Sequence, residues 1–240
     1  YDMTLSGDWG SLKFNGSGSS SAFGAVDDVT PNAYEEAWDI LDTDGTSTSG
    51  SPMVIGGGGG ANMFIYTSPS VAGATVTMAY QNDGGAAAVE DSYTDFAIAY
   101  SPEMVEGLTL GYARADQNAG VSIDVQKSTA YVKYATGGFT IGYQMSEADH
   151  DTKTSSQDST SYGITYAVND DFSIGYHAHT LEPDSAASSS ASNDQESTGV
   201  SASYTMGGMT IAGAMNEVDN MDGTPTNDFE GYEFNLKFAF

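Results

Sequence analysis

Cysteine is absent from the 240 residues, which excludes a disulfide framework and any thiolate metal site. Basic residues are scarce: six Lys and Arg stand against 33 Asp and Glu, a formal charge of −27. Binding to a phosphate backbone needs a basic stripe, so nucleic acid is excluded as a partner. No run of 18 or more apolar residues occurs, which excludes a helical membrane span and leaves spans by strands open. Tyr1 already belongs to an alternating pattern, so no leader peptide is read ahead of it. The 15 Tyr and 10 Phe spread along the chain argue against a disordered acidic polymer.

What is present is a period of two. Tyr1, Met3 and Leu5 alternate with polar residues, a Gly7-Asp8-Trp9-Gly10 turn follows, and Leu12 and Phe14 alternate with Ser11, Lys13 and Asn15. The pattern resumes at Asn62–Thr67, Ala74–Gln81, Tyr93–Tyr100, Leu108–Arg114, Lys127–Tyr134 and Phe139–Ser146. It continues at Ser161–Tyr166, Phe172–Thr180, Gly199–Met206, Met209–Asn216 and Gly231–Phe240, giving thirteen expected strands. With frayed ends added, each approaches the roughly 9–11 residues of a tilted membrane strand.

The connections alternate in length. Ser68–Gly73, Ser101–Gly107, Ala135–Gly138, Ala167–Asp171 and Gly207-Gly208 are short. Asn82–Ser92, Ala115–Asp124, Glu147–Thr160, Leu181–Thr198 and Glu217–Glu230 are long and polar. Tight turns at one end and long loops at the other fit an antiparallel transmembrane β-barrel with periplasmic turns and extracellular loops. The strand faces agree. Tyr232, Phe234, Phe238 and Phe240 share one parity of the last strand, which predicts lipid-facing aromatics, while Glu233 and Lys237 share the other. On the same reasoning Lys13, Lys127, Lys133, His177 and His179 face a lumen, whereas Arg114 has the opposite parity and either snorkels or follows a bulge.

One stretch breaks the pattern. Gly16 to Gly60 runs for 45 residues without a membrane-length strand, holds Asp27, Asp28, Glu35, Glu36, Asp39, Asp42 and Asp44, and has no Lys or Arg. Structureless connections longer than about 12–15 residues are usually functional or disordered. With strands on both flanks, this one is expected to be held inside or across something. A short helix is expected after Pro31. The run Gly56–Gly60 lacks the Lys and Ser/Thr of a phosphate loop and reads as packing against a wall.

These features resemble the general diffusion porins of Gram-negative outer membranes. The ending GYEFNLKFAF, closed by Phe240, is similar to the family's C-terminal signature, and Gly7 to Phe14 is similar to the segment leading into its third loop. The resemblance implies a trimeric 16-stranded barrel in the bacterial outer membrane, one barrel over 1–240, with 16–60 as the inward-folded constriction loop. It also implies that the thirteen strands are the family's fourth to sixteenth and that three N-terminal strands are missing. Passive diffusion of small hydrophilic solutes and ions is the implied function, with outer-membrane lipid, lipopolysaccharide and a homotrimer as partners. A pore constriction would set Asp27, Asp28, Glu35, Glu36 and Asp39 against Lys13 and Lys133, and the excess of acids predicts cation preference. Ser17 stands where the family often has an Arg, which weakens any basic wall.

Each of these groups also has a plainer reading. Single loop acids can be merely solvated, and Lys13 and Lys133 can pair with Asp2, Asp95 or Glu233. Asp42-Thr43-Asp44-Gly45 opens like a calcium loop, but its twelfth position is Met53 rather than Glu, so only a non-EF site for Ca²⁺ on Asp42 and Asp44 is left. The outer-loop acids Asp83, Glu90, Asp91, Glu147, Asp149, Asp151, Glu217, Asp219 and Asp222 suit divalent cations as well. No cofactor is required. No Ser is marked by a base and an orienting group, so catalysis is not expected. A secreted acidic calcium-binding β protein or adhesin is the alternative, and an outer-membrane hydrolase a third.

Overall fold

The computed structural model describes residues 1–16, 19–39, 54–60, 62–82, 92–118, 124–151, 156–183 and 193–239. The strands are β1 (Asp2–Gly7), β2 (Gly10–Asn15), β3 (Ser19–Ser20), β4 (Gly59–Gly60), β5 (Met63–Thr67), β6 (Ala74–Gln81), β7 (Tyr93–Tyr100) and β8 (Leu108–Gln117). They continue as β9 (Val125–Thr136), β10 (Phe139–His150), β11 (Gln157–Ala167), β12 (Phe172–Pro183), β13 (Gln195–Met206), β14 (Met209–Asp219) and β15 (Phe229–Phe238). Thirteen form one sheet in sequence order, β1-β2-β5 and onward to β15, and β3 pairs with β4 separately. Neighbours in chain order pair, and tight turns close alternate pairs. At Gly73 φ is +85° and an added Cβ would lie 2.2 Å from the Ser101 carbonyl oxygen, so glycine alone fits that turn.

The strands outrun the hydropathy pattern at their long-loop ends. β8 extends to Gln117, β10 to His150 and β12 to Pro183, and β13 starts at Gln195 rather than Gly199. Backbone pairing does not depend on side-chain polarity, so a ladder can continue where alternation stops.

The chain packs as two compact units. The first comprises Tyr1–Val29, Ile55–Val132 and Met145–Gln157. Its ladder from β1 to β8 is antiparallel, and its registers sort the side chains into rows. Lys13, Ile65, Ala79, Asp95 and Ala115 lie opposite one another across β2, β5, β6, β7 and β8 on one face. Leu5, Leu12, Tyr66, Met78, Phe96 and Arg114 form a row on the other. The first face buries Met63, Ala79, Tyr93, Ala97, Ala113 and Ala115 beneath Ala22 and Phe23 of the long connection. The small side chains leave the depth that Phe23 fills. The second face is exposed: Met78 and Tyr112 are among its uncovered residues.

The second unit comprises Thr30–Val54, Lys133–Gln144 and Asp158–Phe240. Across β12 to β15 the registers set His177, Gly199, Asn216 and Gly231 in one row and Gly175, Ser201, Ala214 and Glu233 in the next of the same face. The opposite face carries Tyr176, Val200, Met215 and Tyr232 in a row, all exposed. Tyr232 is 86% exposed and Phe234 70%, whereas Leu181 and Val218 on the other face are fully buried. A sheet with its largest apolar side chains outward and small or polar ones inward has a hydrocarbon solvent on the outside.

That inversion makes a measurable demand. Replacing Phe234 with Arg should cost about 2–4 kcal/mol at mid-depth in a bilayer and about 0–1 kcal/mol near an interface. The same change at Asn235, on the opposite parity, should leave stability nearly unaltered. Denaturant unfolding of the two variants in liposomes compares them directly.

Candidate functional site

The site is the connection between β2 and β5. Its two ends are tied by the β3–β4 pair, Ser19 opposite Gly60 and Ser20 opposite Gly59. Within the first unit it is anchored on β7. Asp95, 5% exposed, accepts the backbone N–H groups of Ala22 at 3.3 Å and Phe23 at 2.7 Å and the Tyr93 hydroxyl at 2.9 Å. That hydroxyl also lies 3.0 Å from Ser21 Oγ and accepts the Gly58 N–H at 3.0 Å. One buried carboxylate and one phenol thus replace the water that this backbone would otherwise need.

The returning end packs closely. A Cβ on Gly57 would lie 2.2 Å from the Gly24 nitrogen, so the two halves of the loop touch backbone to backbone. Lys127 Nζ donates to the Gly56 carbonyl at 2.6 Å, and Asp27 accepts the next N–H, from Gly57, at 2.5 Å. Burial outweighs this bond and pushes the Asp27 carboxyl up to about 6, with the Asp28 charge adding to the rise. Asp28 itself is exposed.

In the second unit the stretch from Thr30 to Asp39 lies on the same kind of face. Thr30 Oγ1 is 2.7 Å from His177 Nε2, and His177 Nδ1 accepts the Ala37 N–H at 3.2 Å. Acceptance at Nδ1 puts the proton of the neutral ring on Nε2, so Thr30 is the acceptor there. Trp38 packs on both imidazoles, with ring centroids 5.0 Å from His177 and 4.6 Å from His179. The Ala33 N–H donates to Ser201 Oγ at 3.0 Å, and Asn216 Nδ2 donates to the Glu36 carbonyl at 3.1 Å. At Pro31 the backbone can come this near because the wall beneath it is glycine. A Cβ on Gly163 would lie 2.2 Å from the Pro31 carbonyl oxygen, and one on Gly142 2.4 Å from Pro31 Cδ.

Among the described residues no helix follows Pro31; as far as Asp39 the chain runs through bends and a turn. The Ala37 N–H, which a helix would direct to the Ala33 carbonyl, goes to His177 instead, and the Ala33 N–H is held by Ser201. Asn32 Nδ2 binds Glu36 Oε1 at 2.8 Å and steadies the bend. The Asp39 N–H donates to the Glu36 carbonyl at 3.1 Å. Tyr34 donates its hydroxyl to Glu233 Oε1 at 2.5 Å. Glu35 faces the same carboxylate; burial, then the hydrogen bond and charge of Glu233, push its carboxyl up to about 7.

The basic residues are placed as follows. Lys13 is paired with Asp2 at 3.5 Å across the β1–β2 ladder. Lys127 serves the loop backbone, and Lys133 makes no ion pair among the described residues. Lys237 is exposed opposite Thr210 on the parity of Glu233. Arg114 sits in an unbroken β7–β8 register, so no bulge turns it. It is bound to Gln126 at 2.9 Å and Asp116 at 3.5 Å. Asp42, Asp44 and Phe240 lie outside the described residues, as do the outer-loop acids Asp83, Glu90 and Asp91. Among the described residues no three His, Asp or Glu converge as a metal site.

Asp95, Tyr93, Phe23, Ser201 and Asn216 were not legible as anchors of the loop. Asp95 carried the one available signal: it is the lone charge in the apolar strand Tyr93–Tyr100.

An all-antiparallel sheet with an apolar exterior and a long acidic connection fastened to its polar face defines an outer-membrane channel. The family model for Gram-negative porins matches residues 2–184, and the chain belongs to that family. It is an outer-membrane β-barrel protein that forms a diffusion channel. No curated protein matches its sequence. Among solved structures it is similar to the anion-selective porin of Comamonas acidovorans, at 13% identity and a TM-score of 0.66, over 100% of this chain and 77% of that one. It is similar to OmpF of Salmonella typhi at 11% and 0.69, over 96% and 74%. It is also similar to OmpT of Vibrio cholerae at 11% and 0.67, over 100% and 80%.

The anchor on β7 can be tested in isolation. Hydrogen bonds to a charged group contribute about 1.5–3 kcal/mol each. Asp95→Ala should therefore lower the hydrogen-exchange protection of the Ala22 and Phe23 amides at least about tenfold, while amides of β12–β15 keep theirs.

Proposed function

We propose that the connection from Gly16 to Gly60 narrows the lumen and that the channel passes small hydrophilic solutes and ions with a preference for cations. The observation that carries this reading is the chemistry of the docked segment: Asp27, Glu35, Glu36 and Asp39 sit on stretches fastened to the lumen-parity face of the sheet. Of the two candidate opposing cations, Lys13 and Lys133, the first is already engaged by Asp2, and the lumen-parity Lys127 is taken up by a loop carbonyl. Acidic linings favour cations, and low-dielectric walls focus the field. The anion selectivity of the Comamonas acidovorans porin does not argue otherwise, since 13% identity speaks to fold and not to lining charge. The proposed assembly is a homotrimer, in keeping with the trimer form recorded for OmpT of Vibrio cholerae. No catalytic role is proposed.

Reversal potential across a salt gradient in a planar bilayer tests the preference. Neutralising Glu35, Glu36 and Asp39 together should reduce cation selectivity and its salt dependence with the barrel still folded. Anion preference in the unaltered protein would overturn the reading.

Acidification should act in two directions at once. The carboxyls of Asp27 and Glu35 hold their protons more tightly when docked, at about 6 and about 7, than the usual carboxylate range of about 4. The docked state therefore binds more protons than the undocked one between pH 4 and 7, so docking strengthens as pH falls through that window. Over the same window the lumen loses two negative charges. Cation preference should fall from pH 8 to pH 5 while exchange protection of the loop rises; a parallel fall of both would contradict the assignment.

A further inference from the structure

The acids of β12 to β15 are not on the lumen-parity face. Glu196 and Asp219 are register partners, as are Glu217 and Glu230, and both pairs stand on the face of Val200, Met215 and Tyr232. Among the described lumen-parity positions of these four strands, Glu233 and Lys237 are the charged groups besides the imidazoles. A chain of charge −27 thus has a wall here with one acid and one base, and their order along the strand matters.

Glu233, Asn235 and Lys237 share one face of β15, so an acid, an amide and a base follow one another towards the short-turn end. Glu233 marks the depth of the docked segment: it accepts the Tyr34 hydroxyl, and Glu35 faces it. It lies five residues from the short-turn end of β15, as does Ser201, which holds Ala33, on β13. Asn216, which holds Glu36, lies seven from that end of β14. Lys237 is one residue from the end, beyond all of these contacts. Four residues at about 3.4 Å put it about 14 Å along the strand from Glu233, and about 10 Å along the axis of a barrel with strands tilted by about 40°. That is too far for an ion pair, and it is about one Debye length at 0.1 M salt, so the two charges act as separate zones.

The surroundings of Lys237 leave its charge uncompensated. Thr210 stands opposite it and Thr205 beyond, with the two hydroxyls 3.1 Å apart. The lysine is exposed and makes no ion pair among the described residues. Asp170 and Asp171 are exposed in the β11–β12 turn, and the Asp171 carbonyl accepts the Thr205 N–H. That anchor is two strands from Lys237, about 10 Å at the usual strand spacing. Lys133 is three residues from the short-turn end of β9, the depth at which Pro31 rests on Gly142, three residues into β10. Among the described residues of this unit Lys237 is therefore the cation beyond the docked segment.

Two zones of opposite fixed charge in series do not conduct alike in both directions. With the loop side positive, cations leave the acidic zone and anions leave the basic one towards the boundary between them, where carriers accumulate. With the sign reversed both are drawn away and the boundary is depleted. We propose that Lys237 is a second selectivity element, placed after the acidic segment, and that it makes the channel rectify, passing more current when the loop side is positive. This rests on the reading that the docked acids line the lumen.

The test is the single-channel current–voltage curve of the full chain in a planar bilayer with 0.1 M KCl on both sides. Orientation is set by Thr224→Cys, an exposed position between β14 and β15 on a chain with no other cysteine, modified from one chamber by an impermeant maleimide. The current should be larger with the loop side positive, and the asymmetry should vanish in 1 M KCl, where the Debye length is about 3 Å. Lys237→Gln should abolish the asymmetry and Lys237→Arg should keep it. Reversal potentials on the same channels keep the two readings apart, since Lys237→Gln should leave cation preference intact or raise it. Symmetric currents in the unaltered protein, or an asymmetry that survives Lys237→Gln or 1 M salt, overturn the role of Lys237 and leave the cation reading standing. Anion preference together with an asymmetry that Lys237→Gln removes overturns the cation reading alone.

Discussion

A backbone N–H or C=O left unpaired in hydrocarbon costs several kcal/mol, and no water is there to relieve it. This constraint explains the unbroken antiparallel registers, from the six pairs of β1–β2 to the eleven of β13–β14. It explains why glycines and small residues can be used so freely along the strands. The ladder, not the side chain, holds the strand, so the inner face is free to be shaped for other purposes. The outer face is constrained only to be apolar.

The long connection obeys the same accounting by other means. Among the described residues it has no ladder of its own beyond the two-residue β3–β4 pair. Its backbone groups are instead satisfied one by one, by Asp95, Tyr93, Asp27 and Lys127 in one unit and by His177, Ser201 and Asn216 in the other. Polar residues pointing into a barrel thus act as the partners that give a segment without regular structure a fixed path. The imidazole of His177 is an instance: it reads as a lumen-facing titratable group and serves as a two-sided clamp on Thr30 and Ala37.

This difference also sets what could be read from the chain alone. Strand number, order and facing follow from a local period of two, and the alternating loop lengths carry topology. Strand ends were misjudged by three or four residues, as at Gln117 and Gln195, because pairing continues past the alternation. The anchors lie 30 to 180 positions from what they hold, as with Gly57 and Asp27 or Glu36 and Asn216, and no local pattern links them. The helix expected after Pro31 meets the same difficulty: a long-range acceptor, His177, holds the Ala37 donor that local propensity had assigned to the helix.

Gly142 and Gly163 let the backbone around Pro31 rest almost directly on the wall. The spacing between loop and wall is then fixed by the ring and main chain of Pro31. Side chains of the loop that make no contact with the wall can change in size and charge without loosening its seat. Under the proposed constriction role, the seat of the loop and the charge it presents to the lumen are then set by different residues.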